Sequence, residues 1–214
     1  MDCIKYKDIN HINTFFENQT SLNISNDDKI KALATPLKYV YGFGPSDADV
    51  VLIGEAPGKD EVLQGRPFVG KAGAILDEIL LKTGINRDRL YITNVIKYRL
   101  MKEGSRQGSF KNRPATLPEI RIMLPWLKEE LSFIKPKLIL TLGNVPLKAL
   151  CFIDSCGILD IGSCHGTVRD FKIDNCFNAK FVPLYHPASQ IYNRGLKEVF
   201  DADFRAVREL LLEG

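Results

Sequence analysis

The sequence predicts an α/β protein with a central parallel sheet of four strands covered by helices on both faces. Short β-branched runs alternate with segments of helical period from residue 46 onward, which is typical of such sheets. The composition, with 45% hydrophobic and 26% charged residues, supports a packed core and excludes a disordered chain. The apolar runs are shorter than the roughly 18 residues that a membrane span needs. We therefore expect a soluble globular protein.

The individual elements follow from bounded apolar runs and from helical spacing. The predicted strands are residues 49–54, 90–94, 137–143 and 181–185. The predicted helices are residues 70–83, with Gly84 as a C-cap, 117–133, opened by Pro118 and Glu119, 145–152 and 196–212. The segment 100–114 is basic and rich in Gly and Ser, and it predicts a long exposed loop.

The first 30 residues predict an N-terminal extension, with a helix over 4–17 and a polar linker over 18–28, ahead of a single domain over 31–214. The N-terminus has neither an apolar secretory segment nor a transit pattern, so we expect a cytoplasmic protein. Five cysteines, an odd number, predict reduced thiols in that compartment. The net charge of +3 and the pI of about 8.5 permit a nucleic-acid partner without indicating one.

Polar residues follow the carboxyl ends of the predicted strands, the edge at which open α/β sheets bind ligands. The first strand runs into the turn Glu55–Gly58, whose backbone N–H groups could hold an anionic oxygen. On its own this turn is better explained as a strand-to-loop connection punctuated by Pro and Gly. Asn94 and His186 end two further strands, and Phe68 lies between a Pro and a Gly-containing segment. An aromatic ring, an amide and an imidazole are the groups needed to stack a planar base, read its edge and stabilise a developing anion.

These motifs together carry a specific resemblance. The run GEAPGKDEVLQGRPFVGKAG, followed by YITNVIKYR, NRP, LG and HP, resembles the family-4 uracil-DNA glycosylases from about Val40 to the last helix. The resemblance implies a three-layer α/β/α sandwich. It also implies an enzyme that flips uracil out of DNA and hydrolyses its N-glycosidic bond, leaving an abasic site.

The resemblance also implies roles for individual residues. Phe68 would stack on the extruded uracil, Asn94 would read its Watson–Crick edge, and His186 would hydrogen-bond O2 as negative charge develops. The backbone around Gly54, Glu55 and Ala56 would close the pocket. Either Glu55 or Glu61 would position or activate water, and Asn112 would assist near the glycosidic bond.

Contacts with DNA outside the pocket form a second set of expectations. The set of predicted DNA-binding residues is Lys97, Arg99, Arg113, Pro187, Ser189 and Arg194. In the long basic loop, Lys102, Arg106, Lys111 and Arg113 are candidates for phosphate contacts, with a solvated loop as the alternative. Ile191, Tyr192 and Arg194 lie where the superfamily inserts a wedge into the gap left by the flipped base, although core packing would equally explain Ile191.

The sequence departs from the family at the four cysteines that hold its iron–sulfur cluster. The corresponding positions are Ala32, Thr35, Tyr98 and Met123, which cannot ligate iron as a four-Cys site does, so we predict no cluster and no other cofactor. Apolar packing around Tyr98 and Met123 would take the cluster's place. A relocated metal site built from Cys151, Cys156, Cys164 and Cys176, with or without His165, is the alternative, but buried or loop thiols are the expectation.

Two further functions stay open from the sequence. One is a non-catalytic DNA-binding descendant of the family, and the other is a glycosylase for another deaminated base such as hypoxanthine. The presence of Phe68, Asn94 and His186 favours an enzyme, since a degenerate binder would lose pocket residues as readily as cysteines. The Asn94 amide favours uracil, although the sequence does not exclude a broader pocket. The expected partner is uracil-containing DNA, single- or double-stranded, bound by a monomer.

Overall fold

A computed structural model describes residues 8–25, 38–173 and 177–213. The strands, numbered along the chain, are β1 (Val50–Gly54), β2 (Leu90–Asn94), β3 (Met101–Glu103), β4 (Phe110–Asn112), β5 (Leu138–Leu142), β6 (Arg169–Ile173) and β7 (Phe177–Leu184). The helices are α1 (Ile9–Ser25), α2 (Lys59–Gln64), α3 (Lys71–Thr83), α4 (Leu117–Ile134), α5 (Asn144–Asp154), α6 (Ile161–Cys164), α7 (Ser189–Tyr192) and α8 (Leu196–Glu213).

The central sheet has five strands in the order β2-β1-β5-β7-β6. The four predicted strands are present and pair in parallel, with Gly54 at the end of β1 beside Asn94 at the end of β2. The prediction missed β6, which pairs antiparallel to β7 at the edge of the sheet. Its sequence, RDFKI, places charged residues between the buried Phe171 and Ile173, so it lacks the continuous apolar run of the central strands.

Helices cover both faces of this sheet, which confirms the predicted α/β/α sandwich. Val51 and Ile53 of β1 pack with residues of α1, α4 and α5, whereas Val50 and Leu52 point to the other face and pack with residues of α3 and α8. The two cores follow directly from the alternation of side chains along a strand. Within the described ranges, no helix has both the length and the apolar character to cross a membrane.

The N-terminal helix differs from its prediction. It runs over Ile9–Ser25, so the polar segment that was predicted to begin a linker at Asn18 continues the helix. Ile12 is buried in the core, and the Trp126 indole N–H donates to Asn13 Oδ1 at 3.1 Å. A helix anchored in this way extends through residues of modest propensity, since neither Gly nor Pro interrupts it. The predicted boundary near residue 30 lies outside the described residues.

The basic segment after Leu100 also differs from its prediction as a loop. Met101–Glu103 and Phe110–Asn112 form an antiparallel ribbon, β3–β4, which is exposed along most of its length. The turn is ordered by hydrogen bonds from Gly104 N to the Ser109 carbonyl at 2.8 Å and from Ser109 N to the Arg106 carbonyl at 3.0 Å. The ribbon lacks a buried face, so it lacks the hydrophobic alternation by which strands are predicted.

Candidate active site

A cavity of about 330 Å³ opens at the carboxyl ends of the parallel strands. Phe68, Asn94 and His186 line it together, as the sequence predicts. Gly54 lies between Phe68 and Asn94 at the end of β1: a Cβ there would lie 2.6 Å from the Phe68 ring and would also collide with Asn94 Oδ1. The absence of a side chain at this one position therefore lets an aromatic ring and an amide approach each other.

The backbone at Phe68 is held in an uncommon conformation. Its φ of 53° lies in the left-handed region, which is strained for an aromatic residue. The Arg87 guanidinium donates to the Phe68 carbonyl at 2.9 Å, and a Cβ at Gly73 of α3 would collide with the same carbonyl. Arg87 and the close approach of Gly73 thus hold the backbone of Phe68, whose side chain is almost fully buried at 5% exposure.

Glu61 holds the chain on either side of the cavity. Its Oε2 accepts from Gly58 N at 3.0 Å, and its Oε1 accepts from Gly70 N at 2.9 Å and Val69 N at 3.2 Å. Three backbone donors therefore converge on this one buried carboxylate, joining the turn after β1 to the segment that carries Phe68. Hydrogen bonds to a charged acceptor are roughly twice as strong as neutral ones.

His186 is a neutral donor in this arrangement. Burial lowers its pKa from 6.5 to about 4, although the nearby Glu61 carboxylate opposes the shift. Ala188 N–H donates to His186 Nδ1 at 3.2 Å, so Nδ1 is an acceptor and the ring proton lies on Nε2. The imidazole ring centroid lies 6.1 Å from that of Phe68. An Nε2–H donor beside an aromatic ring suits an oxygen on a stacked planar ligand.

Glu55 and Asn112 face an adjoining cavity of about 430 Å³, which also meets Ala56 and His186. Glu55 Oε1 accepts from Ala115 N at 2.6 Å, and burial raises the pKa of this carboxyl. Asn112 Oδ1 accepts from Arg99 Nε at 2.8 Å, which leaves the Asn112 amide NH₂ as a donor toward the cavity. A carboxylate and an amide donor thus flank the same opening.

The structure corrects the predicted DNA contact at Lys97. Its side chain is fully buried and pairs with Glu130 Oε2 at 2.6 Å. The same carboxylate accepts from the Tyr91 hydroxyl at 2.8 Å and from Thr93. A phosphate cannot reach Lys97, because its side chain is inaccessible to solvent and the adjacent Ile96 and Tyr98 are buried as well.

The other predicted DNA-binding residues differ in whether their side chains are already paired within the protein. Arg113 forms a bidentate pair with Glu119, at 2.9 Å and 2.6 Å, which also caps α4 and largely neutralises the guanidinium. Arg99 is held by Asn112 through its Nε.

The predicted residues after β7 lie near the mouth of the cavity. Pro187 is buried, Ser189 begins α7, and Arg194 is exposed just after this helix. Ile191 is exposed and lines the main cavity, and Tyr192 is 90% exposed beside the second one.

Two of the four positions that correspond to cluster cysteines fall within the described residues. Tyr98 and Met123 are buried, and the ring of Tyr98 packs edge-on against Tyr39 at 6.3 Å. Burial raises the pKa of the Tyr98 phenol, so this position offers a neutral phenol and the other a thioether, neither of which fits an iron–sulfur cluster. Ala32 and Thr35 lie outside the described residues.

Three of the five cysteines lie in or close to α5 and α6. Cys151 and Cys164 are buried and Cys156 is exposed, while Cys176 lies outside the described residues. His165 pairs with Asp203 at 2.9 Å through Nδ1. In the part of the chain that the structure describes, no group of three or more His, Cys, Asp or Glu side chains is arranged to hold a metal ion.

Sequence reasoning missed Arg87 and did not assign Glu61 its place. Arg87 follows α3 in a surface turn, and no local pattern indicates that its guanidinium reaches back to Phe68 across 19 residues. Glu61 could have been found from its spacing, because an acidic residue three positions after Gly58 fits the start of a short helix.

An α/β/α sandwich with an aromatic ring, an amide and a neutral imidazole at its strand ends has the groups that a pocket for a planar heterocycle requires. Comparison with known families matches the Uracil DNA glycosylase superfamily over residues 41–211, and the chain belongs to this superfamily.

Its relatives include proteins named Type-4 uracil-DNA glycosylase, which confirms the resemblance to family 4. The protein from Archaeoglobus fulgidus is 34% identical over 177 residues, covering 82% of this chain and 83% of the relative. Those from Sulfurisphaera tokodaii and Saccharolobus solfataricus are each 34% identical, over 81% and 80% of this chain and 74% and 76% of the relative.

Proposed function

We propose that this protein is a monofunctional uracil-DNA glycosylase that hydrolyses the N-glycosidic bond of deoxyuridine and leaves an abasic site. The observation that carries the proposal is the convergence of Phe68, Asn94 and a neutral His186 on one cavity across the side-chain-free Gly54. The 34% identity to proteins named Type-4 uracil-DNA glycosylase supports the same function.

Recognition of the base is assigned to Phe68 and Asn94. Phe68 stacks on the extruded uracil, since base–aromatic stacking contributes about 1–3 kcal/mol per base. The Asn94 amide accepts from uracil N3–H and donates to O4. Cytosine presents an acceptor at N3 and a donor at position 4, so it opposes an amide fixed in this orientation. Asn94 is almost fully buried, at 3% exposure, which supports such a fixed orientation.

Departure of the base is assigned to His186 and the backbone of the turn after β1. As the C1′–N1 bond breaks, its electron pair passes to uracil and negative charge spreads to O2. The His186 Nε2–H donates to O2, and the N–H groups around Glu55 and Ala56 close the pocket. In comparable sites, a preorganised donor of this kind lowers the activation barrier by about 2.7–4 kcal/mol.

Activation of the attacking water is assigned to Glu55. The three backbone donors on Glu61 favour a positioning role for that residue, whereas Glu55 receives one backbone donor and faces the adjoining cavity. The raised pKa of Glu55 favours proton acceptance from water that attacks C1′. Asn112 donates through its free NH₂ near the glycosidic bond, and the proton held by Glu55 returns to solvent or to the departing uracil.

We further propose that the enzyme works without an iron–sulfur cluster. The support is the donor set at Tyr98 and Met123, which lie in an aromatic core in which Trp126 stacks on Phe16 at 5.9 Å. Iron analysis of active protein purified without chelator is expected to give a content near zero. About four irons per chain, with activity lost on their removal, would contradict the proposal.

The function is tested by single-turnover cleavage of a labelled oligonucleotide that contains one uracil, with EDTA present and alkali added afterwards. Strand breakage at the uracil is the expected result. An intact strand with retained binding would favour the non-catalytic function, and cleavage only at hypoxanthine would favour another deaminated base.

Outside the pocket, Arg99, Arg194, Pro187 and Ser189 stay proposed contacts to the DNA backbone. Arg113 also stays a proposed DNA contact, although its charge is largely neutralised by Glu119. Localisation in the cytoplasm near the nucleoid, the division of the chain near residue 30 and the monomeric state stay predictions from the sequence.

A further inference from the structure

Asn112 lies at the end of the β3–β4 ribbon that borders the cavity, and the rest of the ribbon leads away from the site. Side chains alternate along β4, so Phe110 and Asn112 lie on one face and Lys111 on the other. Asn112 lines the cavity, so its face of the ribbon is the one toward the site. Residues two apart on a strand are separated by about 7 Å. Phe110 therefore lies about 7 Å beyond Asn112 along the ribbon.

Phe110 is half exposed, at 50%, on a ribbon that has no core of its own. Two-stranded ribbons are marginally stable in water, so an aromatic side chain there gains little from folding. A strand of B-form DNA advances about 3.4 Å per nucleotide, and 7 Å corresponds to two such steps. The ring thus lies within reach of a base close to one bound in the cavity.

The charges of the ribbon favour an anionic partner. Lys102 and Lys111 face each other directly across the two strands, an arrangement that destabilises an isolated ribbon through repulsion. Arg106 lies in the exposed turn, and Glu103, opposite Phe110, is the one acidic residue between 101 and 112. Since charges act over about 8 Å at physiological ionic strength, both faces of this thin ribbon attract phosphate.

We infer that the β3–β4 ribbon is a second nucleic-acid binding site, on which Phe110 stacks an unpaired base of the DNA strand that enters the cavity. The inference rests on the proposed function, because DNA in the cavity makes the strand continuous with the ribbon. Stacking requires an unpaired base, so the site selects single-stranded DNA over duplex.

Tryptophan fluorescence tests the contact directly. The chain has one Trp, Trp126, which is fully buried and gives a constant background. Phe110→Trp is expected to show saturable quenching on titration with a uracil-free single-stranded oligonucleotide. The matched control is Phe43→Trp, because Phe43 is 51% exposed and lies beside β2 under Arg66, and it is expected to stay unquenched. Unchanged emission of Phe110→Trp at a saturation established by anisotropy would overturn the inference.

Excision kinetics separate this inference from the proposed function. On a long single strand, Phe110→Ala is expected to lose about tenfold in kcat/KM, and Phe110→Tyr is expected to restore it. On a trinucleotide with uracil in the middle, which has one nucleotide on either side and so ends short of Phe110, Phe110→Ala is expected to match the wild type. Equal losses on both substrates, or none on the long strand, would contradict the inference while the function stands. If the wild type excises from neither substrate, the function fails and the fluorescence titration still decides the ribbon.

Discussion

The cavity and the β3–β4 ribbon are neighbours that are built in opposite ways. In the cavity, Phe68 and Asn94 are buried and Glu61 joins the flanking backbone through three hydrogen bonds. On the ribbon, Phe110 and Lys111 are exposed, and the two strands contact the cavity through Asn112. Groups that must discriminate one base from another are fixed before the ligand arrives, whereas groups that hold any DNA strand can be left in solvent.

The two carboxylates of the cavity offer the strongest test of this comparison. Glu55→Gln is expected to lower the single-turnover rate about 100-fold or more, since it removes a general base while Oε1 can still accept from Ala115 N. Glu61→Gln is expected to lower the melting temperature in addition to the rate. In the wild type both Glu61 oxygens accept from backbone N–H groups, whereas the amide NH₂ of Gln would face one of these donors with another donor. Rates and thermal melts of both variants check this, and the reverse pattern would exchange the two roles.

The buried ion pair beneath the cavity gives the next effect. Lys97→Met is expected to lower the free energy of unfolding by about 3–5 kcal/mol, because it leaves Glu130 charged and unpaired in the core. The salt dependence of DNA binding is expected to stay unchanged. Chemical denaturation and binding titrations measure the two, with Lys97→Met combined with Glu130→Leu as the control that recovers stability. A stable variant with a reduced salt slope would return Lys97 to the DNA interface.

His186→Ala is expected to lower single-turnover excision about 100-fold, the size found on losing one preorganised donor to a developing anion. The fold is expected to persist, since the ring borders a cavity. His165→Ala is the matched control, because His165 pairs with Asp203 and lies outside the cavity lining. A wild-type rate in His186→Ala, or an equal loss in both variants, would contradict the assigned donor.

Protonation of His186 makes stability depend on pH. The unfolded chain takes up the proton near pH 6.5 and the folded chain only near pH 4, so the unfolded state binds more protons between these values. Stability is therefore expected to fall as pH drops through this window, and His186→Ala removes that contribution. Melting temperatures of both proteins from pH 7 to 4 check it. A constant difference between them would mean that the imidazole is not desolvated.

The ribbon gives the smallest effect. Replacing Lys102 and Lys111 together by Gln is expected to lower the salt slope of single-strand binding by about 1.4, because each phosphate contact contributes about 0.7. Trinucleotide excision is expected to stay unchanged. The matched control replaces Lys135 and Lys172 together by Gln. Both are exposed and lie outside the ribbon, so this variant changes the net charge by the same amount. An unchanged slope would leave Lys102 and Lys111 as solvated side chains.

The sequence predicts the cavity better than its surroundings, for a physical reason. Strand ends of a parallel sheet meet at one edge, so Gly54, Asn94 and His186 converge wherever four buried strands are recognised. The left-handed φ of Phe68 depends on Arg87, a contact between distant residues that no local pattern contains.

Charge alone misled the prediction for Lys97, since most lysines are exposed. Its neighbours in the sequence carry a signal that could have corrected this, because Val95 and Ile96 are apolar, and the structure buries both of them. The ribbon was unpredictable for the opposite reason: its strands are three residues each and carry no apolar alternation.

In the proposed reaction, this cavity exchanges uracil for water at C1′. The decisive experiment is mass spectrometry of a single-stranded uracil oligonucleotide after one turnover, in EDTA and without alkali. Free uracil and an unbroken abasic strand are expected in equal amounts, and a variant that combines Asn94→Ala with His186→Ala is expected to form neither product. An oligonucleotide of unchanged mass, or one bound covalently to the protein, would contradict it.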